Sequence, residues 1–158
     1  MTWRGDTSIR DRIFASLPYA LPLVSAIPFG NFLMGQFPPL QLLYLPLYPV
    51  IFVYNNIPFA GFVVFFLLFL LVVRNERIIH FIRFNTMQAI LLDILLVLCS
   101  LVLSVFAPAL GRGLIIETVF NIIFIGVLAA CGYSIVQSLI GRYAEIPTLS
   151  EAVYAQVR

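Results

Sequence analysis

The chain has 158 residues, of which 62% are hydrophobic and only 10% are charged, and its mean hydropathy is +1.06. This small amount of polar surface cannot cover a soluble globular protein of this size. We therefore expect the chain to be embedded in a lipid bilayer. The net charge of +2 comes from nine arginines and no lysine against seven acids. These arginines lie at the ends of apolar runs, which is typical of membrane orientation and argues against nucleic-acid binding.

Continuous apolar runs predict an all-α, polytopic integral membrane protein with a single membrane domain over residues 1–158, because lipid cannot satisfy exposed backbone groups. A helix needs about 20 residues to cross a bilayer. Pro18, Pro22 and Pro28 interrupt the first candidate run, so we expect it to be kinked or to consist of two shorter helices. The four transmembrane helices are predicted at 13–37, 57–73, 84–110 and 114–140.

The N-terminal residues 1–12 mix arginines with Asp6 and Asp11, which is unlike an acid-poor organellar transit peptide. We therefore expect a bacterial chain, a plastid-encoded chain or one that is already trimmed. The apolar run from Ile13 onward imitates a signal peptide, but its prolines and the lack of a clear small-residue cleavage site predict that it is retained.

A proline-rich segment at 38–56 separates the first two predicted helices and carries Tyr44, Tyr48 and Tyr54. This composition is typical of an interfacial or re-entrant segment, and a fifth span is the alternative. Four spans are favoured because they gather nearly all arginines on one side, which predicts that the N-terminus (1–12) and the C-terminal tail (141–158) are both cytoplasmic or stromal. That side would hold Arg4, Arg10, Arg12, Arg74, Arg77, Arg83, Arg142 and Arg158, and the other side only Arg112.

The third predicted helix has an unusual number of polar residues for membrane depth. Asp93 lies about 15 Å along the helix from Arg83, near the bilayer midplane, so its carboxyl group should face protein or water. The polar residues either line a polar pathway or hold helices together by hydrogen bonds, and the second interpretation is favoured. We call them the polar stripe, which comprises Asn85, Thr86, Gln88, Asp93, Ser100 and Ser104.

The fourth predicted helix has small residues at every fourth position, which form a flat surface that another backbone can approach closely. We call this surface the small-residue ridge, which comprises Gly126, Ala130, Ser134 and Ser138. Its partner is a helix of the same chain or of another chain. Matching depths in antiparallel helices places Gln88 nearer to Tyr133 and Ser134 than Asp93 is, and makes Ser25 the best-placed candidate partner for Asp93.

Other reactive side chains do not form a catalytic or metal-binding pattern. The lone His80 is expected at the membrane edge in a surface or packing role, and Cys99 and Cys131 are expected to be buried apolar side chains. Glu117 is a candidate partner for Arg112, at an awkward helical spacing. The sequence contains no phosphate loop, GxSxG or HExxH motif, so no catalytic residue, metal or cofactor is expected and an enzyme is not predicted.

The run RFNTMQAILLD, from Arg83 to Asp93, resembles the twenty-kilodalton subunit family of the translocon at the inner chloroplast envelope (Tic) and its cyanobacterial relatives. The resemblance covers nearly the whole chain and implies a four-helix membrane subunit of a preprotein-conducting channel that associates with other translocon proteins. The N-terminal composition favours a cyanobacterial or plastid-encoded member. Shorter matches are Leu17-Pro18-Tyr19, Leu21-Pro22-Leu23, Ile57 to Phe62, Val73-Arg74-Asn75, Ile146-Pro147 and Ser150-Glu151-Ala152.

The leading functional hypothesis is therefore a Tic-like membrane subunit of a protein translocation channel. A non-transporting membrane scaffold or assembly factor is the alternative, and a small ion or solute transporter that uses Asp93 is a third. The expected partners are membrane lipid, other membrane-protein subunits of a translocon-like complex and further copies of the chain, with no nucleic acid. The expected location is a cyanobacterial plasma or thylakoid membrane, or the plastid inner envelope.

Overall fold

The computed structural model describes residues 6–157, which are helical through most of their length and contain no β-strand. Two helices, α6 (His80–Leu110) and α7 (Leu114–Leu139), are each long and apolar enough to cross a membrane, and two bent helical pairs raise the number of spans to as many as four. This architecture agrees with the predicted all-α polytopic class. The remaining α-helices are α1 (Ile9–Ser16), α2 (Ala20–Ser25), α3 (Asn31–Gln36), α4 (Tyr48–Asn56), α5 (Ala60–Leu68) and α8 (Leu149–Gln156).

The first bent pair, Ile9–Ser25 with Ile27–Gln36, is broken where the prolines predict. Ser8 and Asp11 begin α1 with a capping box, in which the Ser8 Oγ accepts from the Asp11 amide (3.2 Å) and the Asp11 carboxylate accepts from the Ser8 amide (2.8 Å). Pro18 and Pro28 stand in the first turn of the 3₁₀ segments Leu17–Tyr19 and Ile27–Gly30. The pair bends by 58° at the second break.

Two contacts show that the first bent pair runs antiparallel to α7 along its full length. The Arg12 side chain lies against Gly141, just beyond the end of α7. At the other end, the Gln36 amide donates a 2.6 Å hydrogen bond to Glu117 in the first turn of α7. Because α7 has 26 residues and is about 39 Å long, the bent pair covers the thickness of a bilayer.

The second bent pair joins Pro38–Asn56 to Ala60–Val73 with a bend of 116°. Its first part is a 3₁₀ segment, Pro38–Leu47, followed by α4, and its second part is α5 followed by a π-helical turn, Phe69–Val73. Phe59 adopts a left-handed conformation in the turn between them. The predicted helix at 57–73 therefore begins at Ala60, and its nine α-helical and five π-helical residues are fewer than the roughly 20 that a straight span needs.

The two long helices match the predicted positions closely at three of their four ends. The α7 helix ends at Leu139 against a predicted 140, and both the end of α6 and the start of α7 fall at the predicted residues. The α6 helix begins at His80 and not at residue 84, so Arg83 lies inside it. Gly111, at φ 73°, ends α6 and begins the short connection to α7.

Two buried apolar clusters surround the first half of α6: one contains Ala89 with Tyr19 and Phe124, and the other contains Phe84 and Ile90 with Val153. This end of α6 is enclosed by α1 and α2 on one side and by α8 on another. Beyond residue 96 the apolar side chains of α6 are mostly exposed, with Leu101, Val105 and Phe106 more than half exposed. In a bilayer such a surface faces lipid or another membrane protein.

Candidate functional site

Five side chains from three parts of the chain meet inside the helices and form what we call the polar cluster: Tyr19, Asn85, Gln88, Ser134 and Ser138. Each of them is completely buried. Tyr19 comes from the first bent pair, Asn85 and Gln88 from α6, and the two serines from α7. Buried polar groups must bond to one another in this setting, because neither lipid nor an apolar core supplies partners.

Asn85 is the acceptor that joins all three elements. Its Oδ1 accepts hydrogen bonds from the Tyr19 hydroxyl (2.8 Å) and from the Ser138 hydroxyl (2.9 Å). Its amide nitrogen donates to the Phe81 carbonyl one turn earlier in α6 (2.9 Å). The Ser138 hydroxyl also reaches the Ser134 carbonyl (2.7 Å), so its single proton is shared between two acceptors.

Gln88 extends the polar cluster to the chain that follows α7. Its Nε2 atom donates to the Ala144 carbonyl (2.8 Å) and lies 3.1 Å from the Tyr19 hydroxyl and 3.3 Å from the Ser134 hydroxyl. The proximity to Ser134 agrees with the depth matching of α6 and α7. The Gln88 Oε1 atom is buried and has no hydrogen-bond partner among the described residues.

The polar cluster has the chemistry of a structural hydrogen-bond network that holds segments together. Its five members are neutral side chains, none of them poised as a nucleophile beside a base. Nearly all of the donors and acceptors of its members are used in hydrogen bonds within the chain. The polar cluster therefore fixes the first bent pair, α6, α7 and the tail relative to one another.

The rest of the polar stripe divides into buried and exposed residues. Thr86 is buried and its hydroxyl donates to the Ile82 carbonyl of its own helix (2.8 Å). Ser100 and Ser104 are exposed on the outer surface of α6, where the Ser104 hydroxyl turns back to the Leu101 carbonyl (2.7 Å). The polar stripe is thus not one continuous lining within a single chain, because its two ends face different surroundings.

Asp93 lies beyond the polar cluster and is only 8% exposed. The Ser25 side chain is its hydrogen-bonding neighbour, as depth matching predicted. Its Oδ1 atom is buried without a partner among the described residues, and so is the hydroxyl of Tyr54, which lies within electrostatic reach of Asp93. Asp93 is therefore the one acidic side chain of the described residues that is both buried and deep within a membrane-length helix.

The small-residue ridge is packed in its second half and open in its first. Ser134 and Ser138 belong to the polar cluster and contact α6 of the same chain. Ala130 is half-buried, and Gly126 is exposed with no atom within 4 Å of the position that a Cβ would occupy. The intramolecular partner therefore accounts for one half of the ridge and leaves the other half facing outward.

His80 has a packing role that joins α6 to the C-terminal tail. Its Nε2 lies 3.2 Å from the Val157 carbonyl and its Nδ1 lies 3.0 Å from the Tyr143 hydroxyl. A carbonyl only accepts, so Nε2 carries the proton and Nδ1 accepts from Tyr143. The ring is also stacked on Tyr154, with 6.2 Å between ring centroids. The aromatic residues of the tail were the only sequence signal for this contact.

Glu117 has a partner other than the one expected, and Arg83, for which no partner was predicted, is bonded inside the protein. Arg83 is 9% exposed and its Nε donates to the Val73 carbonyl (2.9 Å), so it closes the end of the π-helical turn and does not belong to a solvated arginine group. Glu117 accepts from Gln36, and no ion pair joins it to Arg112 in the part of the chain that the structure describes. Helical spacing alone could not reveal either partner, because both come from another segment.

These features define an all-helical, polytopic membrane protein whose segments are held together by a buried, neutral polar cluster. The family model for "Chloroplast import apparatus Tic20-like" matches residues 8–153, and the chain belongs to this family. The resemblance inferred from the Arg83 to Asp93 run is thereby confirmed.

Relatives of the chain come from cyanobacteria, plants and red algae. A Tic20 family protein of Synechocystis is 53% identical over 94% of both chains. The Arabidopsis thaliana protein TIC 20-v, chloroplastic, is 36% identical over 98% of this chain and 75% of its own length. The Ycf60 protein of the red alga Gracilaria tenuistipitata is 34% identical over 97% of this chain and 78% of its own.

Proposed function

We propose that the chain is a membrane subunit of a protein translocation channel and that it acts together with other membrane proteins. The observation that carries this proposal is the match to a chloroplast import family over residues 8–153. The geometry adds a constraint. Within one chain the polar cluster is closed by its own hydrogen bonds, and Ser100 and Ser104 face outward, so a path for a polypeptide requires further subunits or copies.

The open half of the small-residue ridge is the surface that we assign to association with those subunits. A Cβ at Gly126 would meet no atom of another segment within 4 Å, so we expect a larger side chain there to leave the fold intact and to alter only what packs against it. Gly132 provides a matched control, because it lies on the same helix, is exposed and is also free of contacts within 4 Å. Its position, six residues further along, places it on a different helix face.

Affinity purification from native membranes in a mild detergent, after crosslinking, tests this proposal. We expect subunits of a protein translocation system and precursor proteins in transit to co-purify with the chain. Gly126→Leu should reduce the recovered partners several-fold, whereas Gly132→Leu should leave them unchanged. Recovery of photosynthetic or respiratory subunits without precursors would contradict the proposal and would support the alternative of a non-transporting scaffold. The closed hydrogen bonding of the polar cluster is compatible with that alternative as well.

We also propose that the two bent pairs each cross the membrane once, which makes four crossings with both termini on the cytoplasmic or stromal side. The contact of Arg12 with Gly141 supports this arrangement, as does that of His80 with Val157, because each brings a segment near one terminus to the same end of the bundle. The membrane would be a cyanobacterial plasma or thylakoid membrane, or a plastid inner envelope.

Cysteine labelling with a membrane-impermeant maleimide checks the topology in a background that carries Cys99→Ala and Cys131→Ala. Glu76→Cys and Glu151→Cys should react only from the cytoplasmic or stromal side, and Gly113→Cys only from the opposite side. All three positions are exposed. If Glu76→Cys reacts from the side opposite the N-terminus and Gly113→Cys from the same side as the N-terminus, the second bent pair re-enters instead of crossing, and the four-span topology is wrong.

A further inference from the structure

An apolar cavity of about 710 Å³ lies among the first bent pair, α4, α5 and the start of α6. Its volume is within the range of roughly 300–1,000 Å³ in which proteins bind small apolar ligands. The hydroxyls among its wall residues are those of Tyr54 and Thr86, and the second is bonded to its own helix. The apolar walls include Phe14, Leu21, Pro49, Val53, Leu68 and Ile82.

The cavity opens to the outside of the molecule. Phe14 and Leu17 on its rim are each 56% exposed, and Val53 is 38% exposed. All three lie in membrane-length bent pairs, so the medium beyond the rim is the acyl region of the bilayer and not bulk water. A lipid chain can therefore reach the cavity from the side.

Three exposed arginines lie beside the cavity at one end. Arg10 precedes Phe14 by one helical turn on α1, which places both on the same helix face. Arg74 and Arg77 lie between Val72 and Ile78, which are both wall residues.

Three acidic residues are close to these arginines in the sequence: Asp6, Asp11 and Glu76. The Asp11 carboxylate accepts hydrogen bonds in the capping box of α1, whereas Asp6 and Glu76 are exposed. With Arg12, these two segments carry four arginines against three carboxylates and are therefore net positive. No ion pair involving Arg10, Arg74 or Arg77 occurs within residues 6–157.

We propose that this cavity binds one acyl chain of an anionic phospholipid, whose phosphate group lies against Arg10, Arg74 and Arg77. An apolar cavity beside a group of guanidinium ions matches an amphiphile with an apolar tail and an anionic head. Arginine binds phosphate through paired hydrogen bonds, and basic pockets between membrane helices favour anionic head groups. An apolar peptide segment would fill the same cavity without needing the arginines, which separates the two occupants experimentally.

Photolabelling of the full chain in nanodiscs tests the proposal. The probes are phosphatidylglycerol and phosphatidylcholine that carry the same photoreactive acyl chain, each present as a minor component. Electrostatic attraction is about fivefold per arginine near a membrane surface, so we expect phosphatidylglycerol to label the cavity walls at least tenfold more than phosphatidylcholine. The triple variant Arg10→Gln, Arg74→Gln, Arg77→Gln should remove this preference, and Arg112→Gln, at the other end of the molecule, should retain it.

A cavity-filling variant separates the tail site from the head-group site. Ala20 lines the cavity, so Ala20→Phe should reduce wall labelling by both probes several-fold. Ala129→Phe, on the exposed surface of α7, is the matched control and should leave labelling unchanged. Equal labelling by the two probes in the unaltered protein would overturn the proposal. So would labelling spread evenly over the outer faces of α6 and α7, or displacement of both probes by an apolar helical peptide with no effect of the arginine substitutions.

Discussion

Gly30→Ala is expected to lower the free energy of unfolding by about 1–3 kcal/mol, although it adds only one methyl group. A Cβ at Gly30 would lie 2.5 Å from the Phe124 Cε2 atom and within 2.8 Å of two further ring atoms. The Phe124 ring cannot move aside cheaply, because it is completely buried and stacked on Tyr44 with 6.4 Å between centroids. Gly30 thus lets the first bent pair approach α7 at the place where the pair bends.

Unfolding of the purified protein in detergent, followed by circular dichroism, measures this effect. Gly35→Ala is the matched control, because Gly35 lies in α3 of the same segment with no atom within 4 Å of the position that its Cβ would take. The control should be neutral or slightly stabilising, since alanine favours a helix over glycine by about 1 kcal/mol. Combining Gly30→Ala with Phe124→Leu should cost less than the sum of the two changes. Equal stability of the two alanine variants would show that no close approach exists at Gly30.

Asn85→Leu, which keeps the branching of the side chain and removes its polar atoms, is expected to destabilise the protein by about 1–3 kcal/mol. The substitution leaves the hydroxyls of Tyr19 and Ser138 without their shared acceptor in a completely buried site. Hydrogen bonds between membrane helices contribute about 0.6 kcal/mol on average, so the larger share of the expected loss comes from the buried Tyr19 hydroxyl, which loses its acceptor. The Ser138 hydroxyl keeps the Ser134 carbonyl. The first bent pair and α7 should both loosen from α6.

Thr86→Val controls for the removal of a buried polar group next to Asn85. The Thr86 hydroxyl bonds only to a carbonyl of its own helix, so its loss should cost well under half as much as Asn85→Leu. Adding Tyr19→Phe to Asn85→Leu should recover part of the loss, because the stranded hydroxyl is then absent. Equal effects of Asn85→Leu and Thr86→Val would mean that the polar cluster does not hold the segments together.

Hydropathy predicted the two long helices well, because an uninterrupted apolar run of this length has few alternatives to a spanning helix. The predicted end at residue 110 and start at residue 114 both agree with the structure. Depth matching also placed Gln88 nearer Ser134 than Asp93 is, because the short connection at 111–113 makes α6 and α7 antiparallel. The same matching made Ser25, in the first bent pair, the best-placed partner for Asp93. The broken first helix followed from its prolines.

The contacts of the C-terminal tail and of the polar stripe could not be predicted fully from the sequence. Helical periodicity reports which residues share a face and does not report what that face meets. It therefore grouped Ser100 and Ser104 with the buried Asn85, although α6 is enclosed only along its first half. The hydrogen bonds between His80 and Val157 and between Gln88 and Ala144 join residues that are 77 and 56 positions apart. No local sequence pattern predicts either pair.

The sequence by itself determined that this protein is embedded in a membrane, that it is helical and that it belongs to the Tic20-like family, because composition, apolar run length and the Arg83 to Asp93 run are properties of the chain alone. Only the tertiary structure decided which polar residues are enclosed, how the second bent pair turns by 116°, and where an apolar cavity forms between the segments. These three features depend on which surfaces of the helices pack together. That packing is selected by hydrogen bonds and close contacts between segments that are far apart in the sequence.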